Sequence, residues 1–167
     1  MQPQELRAKI DVLQSAVDRA IAAEDTDLLQ KQYAELNDLC RQLLPKDAGA
    51  KPFKPGFELS IDPQEQPAAA GIIDREDVVD AANAAAQLAR RISYNLKLFF
   101  GYTGPKLVSN GDSWFQYPAI LTDVIDYLSE PFAIHSFGAA GAELSEMTTE
   151  QGYLGAVEAQ KPSAFFV

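Results

Sequence analysis

Two short apolar runs, each followed at once by a polar or glycine-rich turn, most constrain how this chain can fold. The first run, residues 107–109, leads into the turn 110–113, and the second run, residues 132–134, leads into the turn 136–141. The segment between them, from about residue 118 to 130, has the apolar spacing of a helix. A strand, a helix and a second strand in this order predict a parallel unit of an open α/β sheet. Such sheets place their chemistry at the turns that follow the strands.

The segment before residue 46 has the pattern of a helical hairpin. Apolar residues recur every three or four positions over 6–21 and again over 29–43, which is the spacing of one buried stripe on each helix. The polar run 24–27 separates the stripes, and Pro45 ends the second one. Two amphipathic helices with so short a break predict an antiparallel pair. The single cysteine, Cys40, lies on or beside the apolar stripe, which favours a small core side chain over a nucleophile.

A long helix is predicted after a segment of linker composition. Residues 46–73 are rich in proline and alanine, which is typical of a partly extended linker. Residues 74–100 carry a long apolar stripe with several alanines, and Gly101 ends it. Because alanines allow close approach, we expect this helix to pack on the sheet or on the hairpin. The predicted organisation is a hairpin over 1–45, a linker over 46–73 and an α/β domain over 74–167.

Charge and composition argue against several classes of function. The net charge of −10 disfavours nucleic acids and anionic membrane surfaces as partners. No apolar run approaches the length of a membrane-spanning helix. One cysteine rules out an internal disulfide framework, and the N-terminal residues lack the pattern of a signal peptide. We therefore expect a cytoplasmic protein that needs neither a metal nor a cofactor.

The turn after the first run has the residues that an acyl-transfer nucleophile requires. Gly111 permits a tight backbone directly after a strand, and Ser113 follows on an exposed turn near the start of the next helix. Backbone N–H groups in such a turn can bind developing negative charge. Gly141, in the turn after the second run, could bring another N–H group to the same oxyanion without a side chain that obstructs the substrate.

These turns resemble two sequence blocks of the SGNH, or GDSL, hydrolase family. The first block matches Gly-Asp-Ser at 111–113, with Trp114 where leucine is usual. The second block, usually N-x-G-x-x-G, is similar to residues 136–141, with Ser136 in place of the asparagine. The predicted strand before the first block and helix after it give the motif its structural context. The resemblance covers about residues 106–167.

The resemblance implies a serine esterase or acyl hydrolase that acts on a small-molecule ester. By this similarity Ser113 is the nucleophile, and the amides of Ser113 and Gly141 are the oxyanion-hole donors. The residues that support the motif are Gly111, Asp112 and Gly138. The resemblance also implies an α/β fold in which the hairpin and long helix precede a partial, flavodoxin-like sheet. Its three parallel strands would run in the order 2-1-3 with right-handed crossovers.

Two later blocks of the family are missing from these 167 residues. The third block, G-x-N-D, supplies another oxyanion donor, and the last, D-x-x-H, supplies the base and its orienting acid. The single histidine, His135, precedes the second block and is interpreted as a structural or surface residue, not as the missing base. A serine without a base is a poor nucleophile at neutral pH. We therefore expect an N-terminal fragment of such an enzyme, with little or no esterase activity.

The last residues predict a third strand with an open edge. Residues 164–167 form an apolar, β-prone run, which we expect beside residues 107–109. No polar residue follows the run, and natural sheet edges are usually blunted by charge, proline or a covering element. We therefore expect the chain to self-associate through this strand.

Two other functions fit the same sequence. One is a non-catalytic interaction protein built from the hairpin and an α/β remnant. The other is an anion-binding domain that uses the turn 110–113 for phosphate, although no lysine with P-loop spacing accompanies it. Downstream G-x-N-D and D-x-x-H blocks would favour the esterase over both alternatives.

Overall fold

Three helices precede an alternation of strands and helices in the part of the chain that the computed structural model describes, residues 3–43, 75–112, 123–142 and 152–167. In chain order they are α1 (Pro3–Ala22), α2 (Thr26–Leu43), α3 (Arg75–Phe99), β1 (Lys106–Ser109), α4 (Val124–Leu128), β2 (Ala133–Ser136), α5 (Gly152–Gln160) and β3 (Ala164–Phe166). The predicted linker, 46–73, and the predicted nucleophile, Ser113, lie outside the described residues. No helix within the described ranges is long and apolar enough to cross a membrane.

The predicted helices α1 and α2 are confirmed, and the local sequence explains the turn between them. Glu24 has a left-handed φ of 53°, which lets the chain reverse after α1. The Asp25 N–H group closes this turn by donating to the Ala20 carbonyl at 2.9 Å. The Asp25 carboxylate then caps α2, because it accepts from the Leu28 N–H group at 2.9 Å. The apolar stripes of both helices are buried against each other and against α3.

Two opposite faces of α3 serve two different parts of the fold. The apolar face buries Ala81, Ala85, Leu88 and Ile92 in one core with α1 and α2. The other face, which we call the polar stripe, contacts the α/β part of the chain; its members are Asn83, Gln87, Arg90, Tyr94 and Lys97. The sequence predicted that this helix packs on the sheet or on the hairpin, and the structure shows that it does both.

The sheet confirms the predicted order of three parallel strands, β2-β1-β3. Leu107 and Ile134 share one face of the sheet with Ile125 of α4. His135 lies on the opposite face, since side chains alternate along a strand, and there it stacks on Tyr94 of α3. α5 also lies on that second face, where Gln160 bonds to His135. The two crossovers run in opposite directions and on opposite faces, as crossovers of the same hand require.

Two element boundaries differ from the sequence prediction. β2 continues through Ser136, because the Phe137 N–H group still donates to the Ser109 carbonyl of β1 at 2.8 Å. Ser136 is therefore a strand residue, and the turn begins after it. Where a helix was predicted over 118–130, α4 runs over Val124–Leu128: Asp123 is its N-cap with an extended backbone, Ser129 is its C-cap, and residues 118–122 lie outside the described part.

Candidate functional site

The turn after β1 is described up to the residue before the predicted nucleophile. The Asn110 N–H group donates to the Phe166 carbonyl of β3 at 2.9 Å, which extends the sheet by one residue. The Asn110 side chain turns back and accepts from the Gly111 N–H group at 3.0 Å. Asn110 is buried, and Asp112 is the last described residue of this turn. The structure thus fixes the backbone that leads into Ser113, while Ser113 itself lies outside the described residues.

The turn after β2 requires a glycine at its end. Gly141 has a φ of 81°, a conformation that other residues rarely adopt. A Cβ atom at this position would meet no atom of the protein within 4 Å. The backbone itself therefore requires glycine here, in addition to the space for a substrate that the sequence suggests. Earlier in the turn, the Gly138 N–H group donates to Ser136 Oγ at 3.4 Å, which gives this hydroxyl a local role.

The two turns lie next to each other at the carboxyl edge of the sheet. The Ala139 N–H group donates to the Gly111 carbonyl at 2.9 Å, so each turn contacts the other directly through the backbone. Of the residues that the sequence predicted for the site, Gly111, Gly138 and Gly141 are brought together by this contact. The structure does not describe how Ser113 sits relative to them.

The polar stripe of α3 holds the turn after β2 from the side opposite to the turn after β1. The Asn83 carboxamide forms a two-way pair with Ala140: its Nδ2 donates to the carbonyl at 3.0 Å and its Oδ1 accepts from the N–H group at 2.9 Å. Gln87 Nε2, one helical turn later, donates to the Gly138 carbonyl at 3.0 Å. Sequence reasoning missed both residues. The available signal was a stripe of polar side chains, beginning with Asn83 and Gln87, directly opposite the apolar stripe of the same helix.

An open groove of about 1350 Å³ runs along this edge of the molecule. Asn110 and Gly141 line it at the end near the two turns, and Arg7 of α1 lines it on the hairpin side. Gln87 and Gln160 add planar amide groups to the lining. The groove is large enough for a small organic ligand. Across the described ranges, no group of three or more His, Cys, Asp or Glu residues could hold a metal ion.

His135 is packed as a structural residue beside the groove. Its ring stacks on Tyr94 with centroids 5.2 Å apart, and it contacts Phe137 at 4.4 Å. Its Nδ1 lies 2.7 Å from Gln160 Nε2. The pKa of His135 is lowered to about 4, mainly by burial and also by the charge of Arg91, while the hydrogen bond with Gln160 acts in the opposite direction. The ring is therefore neutral at pH 7, and these contacts support the structural role inferred from the sequence.

Two other candidate nucleophiles among the described residues are poorly placed for chemistry. Burial raises the pKa of the Cys40 thiol, which packs against the helical core as the sequence predicted. Ser109 is fully buried in β1, and its hydroxyl has no hydrogen-bond partner. Neither side chain offers an exposed, activated nucleophile at the groove.

Comparison with known protein families, with characterised proteins and with solved structures gives no match to this chain. Its class is therefore defined by the fold and the site alone. It is an α/β protein in which a three-stranded parallel sheet presents two touching turns at its carboxyl edge, one of them held by a helix from outside the sheet.

Proposed function

We propose that this chain carries the nucleophile-bearing part of an SGNH-type serine acyl hydrolase. Ser113 is the nucleophile, and the N–H groups of Ser113 and Gly141 are the oxyanion donors. The observation that carries the proposal is the 2.9 Å hydrogen bond between the Ala139 N–H group and the Gly111 carbonyl. It brings the Gly-x-x-Gly turn against the backbone that leads into Ser113, as two donors to one oxyanion require.

The reaction follows from these roles. Ser113 Oγ attacks the carbonyl carbon of an ester, and the carbonyl oxygen becomes an oxyanion that the two N–H groups stabilise. Collapse of the tetrahedral intermediate breaks the ester bond, releases the alcohol and leaves an acyl group on Ser113. A single oxyanion donor is worth about 10²–10³ in rate in serine hydrolases.

A base for the Ser113 proton is the missing component. The D-x-x-H block does not occur in these 167 residues, and the single histidine, His135, is held against Gln160 and Tyr94. A serine hydrolase without its triad base retains a rate of only about 10³–10⁴ over water. We therefore expect this chain to become acylated slowly at Ser113 and to turn over poorly.

The substrate is proposed to be a small-molecule ester that binds in the groove beside Asn110 and Gly141. The groove is open and lined by both polar and apolar groups, so it can accept an ester with a polar alcohol or acyl portion. The cytoplasmic location inferred from the sequence stays a prediction.

The proposal is tested by following acetylation of Ser113. The protein is incubated with p-nitrophenyl acetate, digested and examined by peptide mass mapping. We expect an acetyl group on the Ser113 peptide that is lost in Ser113→Ala, while the peptides that carry Ser93 and Ser163 serve as internal controls for non-specific acetylation.

Two results would contradict this proposal. Ser113 acetylation no faster than that of the control serines would remove the nucleophile assignment. Rapid multiple turnover that disappears in Ser113→Ala would show that another group acts as the base.

A non-catalytic interaction protein is the second candidate, and the outer strand of the sheet favours it. β3 pairs only with β1 among the described strands, and Phe165, Phe166 and Val167 are exposed there. Such a surface can bind another protein chain. Absence of specific Ser113 acetylation would favour this second function.

A further inference from the structure

Hydrogen bonds from α3 determine how the peptide planes of the turn after β2 are oriented. A peptide unit is planar and trans, so its C=O and N–H bonds point in opposite directions. The Ala140 carbonyl points toward α3, where it accepts from Asn83 Nδ2 at 3.0 Å. The N–H group in the same peptide unit belongs to Gly141. It must therefore point away from α3.

A neighbouring peptide unit identifies what lies in that direction. The Gly138 carbonyl also points toward α3, where it accepts from Gln87 Nε2 at 3.0 Å. The N–H group of this unit belongs to Ala139, and it donates to the Gly111 carbonyl at 2.9 Å. The side away from α3 is thus the side of the turn that leads into Ser113. The Gly141 N–H group points to that same side.

We propose that Asn83 and Gln87 are positioning residues that aim the Gly141 N–H group at the oxyanion formed when Ser113 is acylated. This inference rests on the proposed function, because it assigns the two residues a role in that reaction. Both side chains line the groove. The role proposed here is exerted through the backbone carbonyl that each side chain binds.

The Asn83 pair is built to hold one orientation. Its second bond, from the Ala140 N–H group to Oδ1 at 2.9 Å, fixes the peptide plane before Ala140 as well as the plane after it. Asn83 is only 9% exposed, so water competes little for these bonds. A donor held in place before the reaction needs no reorganisation when the oxyanion forms, and this preorganisation is what makes an oxyanion hole effective.

The substitution Asn83→Asp tests the inference with little change of shape. Aspartate can still accept from the Ala140 N–H group, but it cannot donate to the Ala140 carbonyl, and its second oxygen repels that carbonyl. The matched control is Asn95→Asp on the same helix, since Asn95 donates to the Arg91 carbonyl within α3 at 2.8 Å. Two quantities are measured: the rate of Ser113 acetylation as a function of p-nitrophenyl acetate concentration, and the ¹H–¹⁵N signal of Gly141.

We expect Asn83→Asp to lower the maximal acetylation rate of Ser113 by about tenfold or more, up to the factor of about 10²–10³ that complete loss of an oxyanion donor costs. The concentration of ester at half-maximal rate should stay the same, because the oxyanion exists only in the transition state and intermediate. The Gly141 signal should move while signals of α1 and α2 stay in place. Asn95→Asp should match the wild type in both measurements.

Different results separate the inference from the proposed function. A folded Asn83→Asp protein with an unchanged Gly141 signal and an unchanged acetylation rate overturns the positioning role. A wild-type chain without specific Ser113 acetylation overturns the proposed function and with it any role of Asn83 in the reaction. The Gly141 signal then still decides whether Asn83 sets the direction of that amide.

A second variant keeps the inference testable where Asn83→Asp does not fold. Gln87→Met has a side chain of similar length that cannot donate to the Gly138 carbonyl. We expect slower Ser113 acetylation and faster hydrogen exchange of the Ala139 amide, because the peptide unit that bonds to Gly111 loses its anchor. Wild-type values of both quantities in a folded Gln87→Met protein overturn the inference.

Discussion

At the scale of single residues, His135 couples the stability of the fold to pH. Burial against Tyr94 is the main reason for its low pKa of about 4, compared with 6.5 for an ordinary histidine. Between these two values the unfolded chain binds more protons than the folded chain. The free energy of unfolding therefore falls as the pH drops from about 6.5 to about 4, and this contribution is fully present above that range.

Replacing His135 with phenylalanine should remove this part of the pH dependence. Phenylalanine keeps a ring between Tyr94 and Phe137 but cannot bind a proton. One pKa unit corresponds to about 1.4 kcal/mol, so the wild type should lose roughly 3 kcal/mol more than His135→Phe between about pH 7 and about pH 4. Urea unfolding across this range measures the difference, in which the titration of carboxylates common to both proteins cancels. Parallel stability curves would contradict a buried, neutral His135.

At this scale the glycines of the two turns were predictable from the sequence, whereas the side chains of α3 that hold the turn after β2 were not. Gly111, Gly138 and Gly141 stand in short turns after apolar runs, and such signals are contained in a few neighbouring residues. Asn83 contacts Ala140 from 57 positions away. A polar residue on a helix is by default solvated, and nothing local distinguishes the one that binds a distant turn. The motif that contains Ser113 was recognisable because its signal is local. The position of Ser113 in the site stays a prediction, since this residue lies outside the described part of the chain.

At the scale of elements, α4 depends on α3 for both of its ends. α4 has five residues, fewer than an isolated helix needs to be stable. Its N-terminus is closed by a capping box on Asp123, whose carboxylate also binds Arg90 of α3. After its C-terminus, Lys97 of α3 donates to three backbone carbonyls, those of Ser129, Glu130 and Phe132. Arg90 and Lys97 thus hold the crossover between β1 and β2.

Two adjacent arginines allow a matched test of this support. Arg90→Met removes the arginine that pairs with Asp123, whose side chain is 3% exposed, and should cost about 3–5 kcal/mol because breaking a buried ion pair from one side is strongly destabilising. Arg91→Met removes a pair with Asp18 in which the two side chains are 31% and 51% exposed, and should cost at most about 1 kcal/mol. Urea unfolding of both variants measures the losses. Equal losses would mean that Arg90 does not stabilise α4 in the way described.

Elements were predicted correctly from the sequence where the apolar pattern was short and clear, and they were missed where that pattern was weak. The three strands were found from short apolar runs, and their order agrees with the family resemblance. α5 was not predicted as a helix, since Gly152 and Gly155 both lower helix propensity and its apolar pattern is irregular. Packing on the sheet, through Gln160 and the stacked pair Tyr153–Phe165, stabilises this helix despite its low helix propensity.

At the scale of the whole molecule, the outer edge of β3 predicts self-association. Phe165 and Phe166 are each 38% exposed and Val167 is 69% exposed, beside a strand edge that no described element pairs with. Phe166→Lys should reduce association, because charge on an edge strand blocks pairing with a second chain. The control is Val12→Lys, which places the same charge at a 70% exposed position on α1. Sedimentation velocity over a range of protein concentrations measures the effect, and a wild type that stays monomeric throughout would contradict it.

The two-sided packing of α3 couples the helical core to the groove. The same helix completes the core of the hairpin and anchors the groove turn, so a fluctuation that displaces α3 affects both. The free energy of local opening of the turn therefore cannot exceed the free energy needed to open the helical core. Substitutions in the helical core, far from any ligand, would therefore change the fraction of molecules in which the groove is ordered. The rate of the reaction in the groove would then vary with temperature as that fraction does.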